Sequence, residues 1–249
     1  MQSIPKASIA FRHLLRADFT TQWRNRRAIV LLLLVPTIIL ISWQGVVAKL
    51  GGAFVLSNCI TIGLNAIGLM GYSTAIARDR DKGVFQRLRV APVANGLIML
   101  SRLSIQLFMI LVLTLTVFIV GFNVDKITLT MPGYIVSFFM AFVGGALYLG
   151  LGQMIVGLIK KAETVNSTTR LVYFVFIMVG MFGELGLLGD KFKTMVQWSP
   201  YGTVKNILAS GMQPGLWNQH STLALLATLG YAAVFAFLGI RWFKWSTHT

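Results

Sequence analysis

Residues 78–92 read Arg-Asp-Arg-Asp-Lys-Gly-Val-Phe-Gln-Arg-Leu-Arg-Val-Ala-Pro, and this charged stretch is wedged between two long apolar runs, Ala53–Ala77 and Leu97–Val120. Read as a helix from about Gly83, it places Val84, Leu88 and Ala91 on one side with Phe85 beside them, while Gln86, Arg87 and Arg89 point elsewhere. Pro92 stops the turn. The segment is too short to fold alone and too polar to enter lipid. It belongs at a membrane surface, where a small apolar ridge with a basic rim has the shape of a docking element.

The flanking runs extend this reading to the whole chain. Its 249 residues are 56% hydrophobic and only 12% charged, outside the range of ordinary soluble domains. Six apolar runs, Ala28–Ala48, Ala53–Ala77, Leu97–Val120, Gly133–Ile159, Leu171–Gly189 and Thr222–Ile240, have 19 to 27 residues each. Each can cross a hydrocarbon core of ~30 Å as a helix. The fold class is therefore all-α integral membrane, with six transmembrane helices in a single domain over 1–249. It divides into an interfacial helix (1–27), spans one and two (28–77), a surface loop (78–96), spans three to five (97–189), an outer region (190–221) and the sixth span with its tail (222–249).

A net charge of +15 suggests nucleic acid until the charges are placed. With six crossings and the N-terminus inside, seventeen Lys and Arg fall on the inner segments and five, Lys49, Lys126, Lys191, Lys193 and Lys205, on the outer ones. That asymmetry puts both termini in the cytoplasm of a multi-pass plasma-membrane protein and assigns the basic excess to topology and anionic lipid contact.

Along the chain, Phe11, Leu15, Phe19 and Trp23 recur every four residues beside Arg12, Arg16 and Arg24, the pattern of a helix lying in the interface. Pro36 is the expected bend of the first span. In the second span Asn58, Thr61 and Asn65, continued by Gly68 and Tyr72, form one polar stripe. Polar groups are costly in lipid, so the stripe faces either protein or a water-filled passage. The fourth span is glycine-rich, and Ala141, Gly145, Ala146 and Gly150 suit close helix packing. The fifth carries Tyr173, Ile177, Gly180 and Glu184 on one side, amid Phe174, Phe176, Met178, Met181 and Phe182. Such a Met- and Phe-rich wall suits either greasy ligands or a buried helix. Trp198, Pro200, Tyr201 and Trp217 suit short helices resting at the outer interface, and Arg241 to Trp245 form a basic aromatic anchor.

Several chemistries lack their residues. His13, His220 and His248 have no metal-ligand neighbours at a useful spacing, and no hydrolase elbow or phosphate loop ending in Gly-Lys-Ser/Thr occurs. No catalytic or metal residue is assigned. Glu184 is the one acid inside a span, near its outer end, which leaves little for ion-coupled transport. Energy for transport then has to arrive through a partner.

Asp81-Lys82-Gly83-Val84-Phe85-Gln86-Arg87-Leu88-Arg89-Val90-Ala91-Pro92 resembles the signature of the type 2 ABC transporter permease family, with Gly83, Arg87, Leu88 and Pro92 matching by position. Trp198-Ser199-Pro200-Tyr201-Gly202-Thr203-Val204 resembles the Ser-Pro stretch those permeases carry before their last span. Val84 stands where the family has Thr and Gln86 where it has Glu, so the usual carboxylate for an ion pair to the ATPase is missing. The resemblance implies a half-transporter that forms a homo- or heterodimer on two copies of a separate cytoplasmic ABC ATPase, which binds ATP and Mg; this chain holds no cofactor. It implies a cytoplasmic coupling helix over Gly83–Pro92, with Asp81, Gly83, Val84, Phe85, Arg87, Leu88 and Arg89 as ATPase-coupling residues and Phe85 and Leu88 as the apolar contact. It implies a passage lined by the second and fifth spans, with Asn58, Thr61, Asn65, Tyr72, Tyr173, Ile177, Met181 and Glu184 along it, and short outer re-entrant helices around Pro200. The expected function is an exporter subunit for a drug, antibiotic or lipid. The alternatives are a lipid-linked polysaccharide exporter and, from another class, an energy-independent channel or secondary carrier.

Overall fold

The computed structural model describes residues 7–90, 94–184 and 189–243, and these are helical almost throughout. Helix α1 (Ala7–Arg24) leads into α2 (Arg26–Ser42), α3 (Gln44–Leu50) and α4 (Gly52–Ala66). A π-helical segment, Ile67–Ser73, joins α4 to α5 (Thr74–Asp81), and α6 (Val84–Val90) follows. Then come α7 (Asn95–Asp125), α8 (Met131–Leu158), α9 (Ala162–Glu184), α10 (Asp190–Trp198), α11 (Pro200–Met212) and α12 (Gln219–Trp242). Among the described residues five helices are long and apolar enough to cross a membrane, and a sixth crossing exists if the bent pair Leu32–Ser42 and Gln44–Leu50 is one span.

The bend in that pair is 65° and falls at Trp43, not at Pro36 as expected. Helix α2 runs through Pro36 unbroken. Trp43 instead closes α2 by donating its N–H to the Ile39 and Leu40 carbonyls, and its indole stacks on Phe54 with centroids 6.4 Å apart.

The second span is the axis of the bundle. It continues through the π segment as Gly52–Asp81, and nearly every residue from Val55 to Leu69 is buried. Its contact with α8 is backbone on backbone. A Cβ on Gly68 would lie 2.4 Å from the Tyr148 carbonyl oxygen, and one on Gly152 would lie 2.4 Å from the Gly68 carbonyl oxygen. Small residues permit this approach, the usual means of helix association in lipid. Gly145 packs as expected, tight against Ile110, whereas Ala146 lines a surface groove.

Helix α11 departs from the expected interfacial helix. Tyr201, Val204, Ile207 and Leu208 are fully buried, so α11 is inserted among α4, α8 and α12. Ser199 starts it as N-cap, its Oγ accepting from the Gly202 N–H at 3.2 Å, with Pro200 in the first turn. The expected chain stop at Pro92 and the Lys244–Trp245 part of the terminal anchor lie outside the described residues.

Candidate functional site

Gly83 turns the chain from α5 into α6 with φ +66°, a left-handed conformation that favours glycine, and its N–H bonds to the Arg80 carbonyl at 3.1 Å. On α6, Gln86 and Arg87 are exposed, and Val84 and Leu88 are half-buried. Asp81 and Lys82, just before it, are also exposed. Phe85 corrects an expectation. Its ring is fully buried and meets Phe243, at the end of α12, edge-on at 6.0 Å between centroids. A seven-residue helix gains most by turning its largest apolar side chain into the nearest core. The outward surface is therefore made by Val84, Gln86, Arg87 and Leu88; the side chain of Arg89 lies outside the described residues.

Arg80, counted at the sequence level only among the cations, is the best-anchored residue here. It is buried, and its guanidinium donates to the carbonyls of Val156 at 2.8 Å and of Ile159 and Lys160 at 2.7 Å each. These carbonyls close α8, where unpaired acceptors and the negative end of the helix dipole favour a cation. The next residue does the converse. Asp81 Oδ2 accepts from the Ala162 N–H at 3.2 Å, at the positive end of α9. Two consecutive side chains thus hold both helix ends of the α8–α9 turn. The available signal was an Arg-Asp pair closing a long apolar run.

The polar stripe is inside the chain. Asn58, Thr61 and Asn65 are fully buried. Asn58 Nδ2 donates to the Phe54 carbonyl at 2.8 Å, and its Oδ1 accepts from the Tyr201 hydroxyl at 2.9 Å. Thr61 donates to the Ser57 carbonyl at 2.7 Å, and Tyr72 donates to Gln153 Oε1 at 2.8 Å. Neither amide atom of Asn65 has a hydrogen-bond partner among the described residues. An orphaned buried amide costs about 1–3 kcal/mol, so its retention asks for a reason.

The fifth-span wall meets this stripe through Tyr201. Ile177 packs with Ile62 and Tyr201, and Tyr173 and Met181 flank them. Gly180 makes the room, since a Cβ there would lie 2.4 Å from the Tyr201 ring. The second span, the fifth span and the Ser-Pro stretch, separate in sequence, are therefore one cluster. The opposite side of α9 is bare, with Leu171 64% and Phe174 59% exposed. The side chain of Glu184 lies outside the described residues.

A family model described as ABC-2 type transporter matches residues 9–212, from α1 to the end of α11. The chain belongs to the ABC-2 type transporter family. No curated protein matches it. This ABC-2 chain is thus a multi-pass membrane permease, and the matched region takes in α6, the Arg80–Asp81 grip and the cluster around Tyr201.

Proposed function

We propose that this ABC-2 permease is the membrane-spanning half of an ATP-driven exporter that moves a hydrophobic or amphipathic molecule outward, fuelled by a separate cytoplasmic ATPase seated on α6. The observation that carries the reading is the mounting of α6. Its outer face presents Gln86 and Arg87, while Arg80 and Asp81 at its root hold the ends of α8 and α9. A push on α6 then reaches two spans directly. The α6 end is cytoplasmic in this reading, since Arg80, Arg87, Arg102 and Lys160 gather there while Lys49 and Lys126 lie at the other end.

The bare face of α9 supports a second permease copy, with the passage between the two. Leu171, Phe174 and Phe182 offer that passage an apolar wall, suited to drugs, antibiotics or lipids. Asn65, without a hydrogen-bond partner among the described residues and two residues before the π segment, is the polar group best placed to gain one when the second span shifts. Reconstituted vesicles containing permease and ATPase test the whole reading. ATP-dependent movement of a lipophilic dye supports it. Movement of a lipid-linked glycan alone replaces the cargo assignment, and transport that persists without ATPase or pH gradient overturns the ATP-driven mechanism.

A further inference from the structure

At the α6 end, α1, α5 and α7 enclose a polar cleft of about 360 Å³. Four cations, Arg24, Arg78, Lys82 and Arg102, line it together with two carboxylates, Asp18 and Asp79. Arg102 serves both carboxylates, with Nε 3.3 Å from Asp18 and Nη2 2.6 Å from Asp79. Arg24, Arg78 and Lys82 have no ion pair among the described residues. Four cations against two carboxylates leave this one concavity with a net charge of +2, and the three cations without an ion pair among the described residues come from α1 and the end of α5. A general excess of inner-face charge accounts for their sign but not for this convergence.

We propose that the cleft holds the phosphate of an anionic membrane lipid. Guanidinium and ammonium groups are suited to phosphate oxygens, and a concave basic site at membrane depth attracts anionic headgroups. The choice of a lipid over a dissolved anion comes from α1. Asp18, Thr21 and Gln22 face the cleft at helical spacing, while Phe19 and Trp23 project from the flank of the same helix that is turned away from it. Those two rings are 41% and 57% exposed and stack on each other with centroids 6.0 Å apart. Phe19 also meets Phe108 of α7 edge-on at 5.6 Å. Helix α1 therefore carries an exposed aromatic flank as well as a cleft-facing polar one. That arrangement suits a helix lying in the interface with acyl chains along its rings, and a dissolved phosphate has no use for the rings. The site is independent of the exporter reading, because it needs neither ATPase nor cargo.

The purified full-length chain in neutral detergent is titrated with short-chain phosphatidylglycerol, short-chain phosphatidylcholine or inorganic phosphate, and binding is followed by tryptophan fluorescence. Phosphatidylglycerol is expected to bind about tenfold or more tighter than phosphatidylcholine. The variant Arg24→Gln/Arg78→Gln/Lys82→Gln should lose that preference. A control, Lys161→Gln/Arg170→Gln/Arg241→Gln, which removes as many cations away from the cleft, should keep it. Equal losses in both variants overturn the proposal in favour of diffuse charge attraction. Inorganic phosphate binding as tightly as phosphatidylglycerol overturns the lipid assignment. Unchanged lipid preference with loss of a co-purifying ATPase makes the cleft a protein-docking surface instead. If the triple variant fails to fold, Arg24→Gln and Arg78→Gln alone should each weaken the preference, and no weakening in either overturns the site.

Discussion

The guanidinium of Arg80 donates to the carbonyl of Val156 at 2.8 Å, joining the foot of the central span to the end of a helix 76 residues later in the chain. Because Ile159 and Lys160 share the same group, one side chain satisfies three acceptors. Arg80→Ala is expected to destabilise the protein by on the order of 3 kcal/mol, since charged hydrogen bonds are lost and the buried Val156 carbonyl is left without its donor. Arg80→Lys should recover less than half of that, because an ammonium lacks the planar fork. Thermal unfolding in detergent gives the loss, and hydrogen exchange should rise first in residues 156–163.

The Asn58–Tyr201 pair admits a cleaner measurement. Tyr201→Phe removes the hydroxyl that donates to Asn58 Oδ1 and leaves that oxygen buried, at an expected cost of about 0.5–2 kcal/mol. A double-mutant cycle with Asn58→Ala should show a coupling energy of similar size. Additive effects would mean that the two residues act apart.

Two glycines on exposed and buried helix faces should respond in opposite directions. Gly152→Ala drives a methyl into the Gly68 carbonyl and Ser73 Oγ, and is expected to cost about 1–3 kcal/mol. Gly230, in the middle of α12, has nothing within 4 Å of a Cβ. Gly230→Ala should therefore be neutral or stabilising by up to about 1 kcal/mol, the helix-propensity gain. Melting temperatures of the two variants decide it.

Acid titration should report on Asp18. Burial holds its carboxyl above the ordinary 3.8, against the pull of Arg102 and the Ser101 hydroxyl and with a further push from Asp79. The folded chain therefore binds this proton more tightly than the unfolded one. The resulting stabilisation is full below 3.8 and is lost as pH rises through the raised pKa. Asp18→Asn should flatten that part of the stability curve, measured as melting temperature against pH.

The apolar runs made the spans legible, because lipid demands long uninterrupted hydrophobicity and nothing else in the chain supplies it. The stretch around Gly83 was legible for the same reason, as a polar break between two such runs. What the pattern could not carry was direction. Phe85 and Leu88 form an apolar ridge that could face a partner or the chain's own core, and the structure divides them, Phe85 turning into the core against Phe243 while Leu88 stays half-buried. Arg80 looked like one cation among many, since its role depends on where α8 ends. Pro36 drew the bend by its chemistry, yet the turn falls at Trp43, where the chain leads into α3. Tyr201 was passed over as an interfacial aromatic because its partner Asn58 lies 143 residues away.

Co-purification of the ATPase tests the central claim most directly. Gln86→Ala/Arg87→Glu alters only exposed side chains of α6, whereas Phe85→Ala empties a buried site and should lower the melting temperature of the permease itself, at a cost of about 3–5 kcal/mol. For the Gln86→Ala/Arg87→Glu variant the expected result is a permease with unchanged melting temperature that no longer retains the ATPase in detergent. Undiminished retention of the ATPase by that variant would contradict α6 as the place where the motor engages.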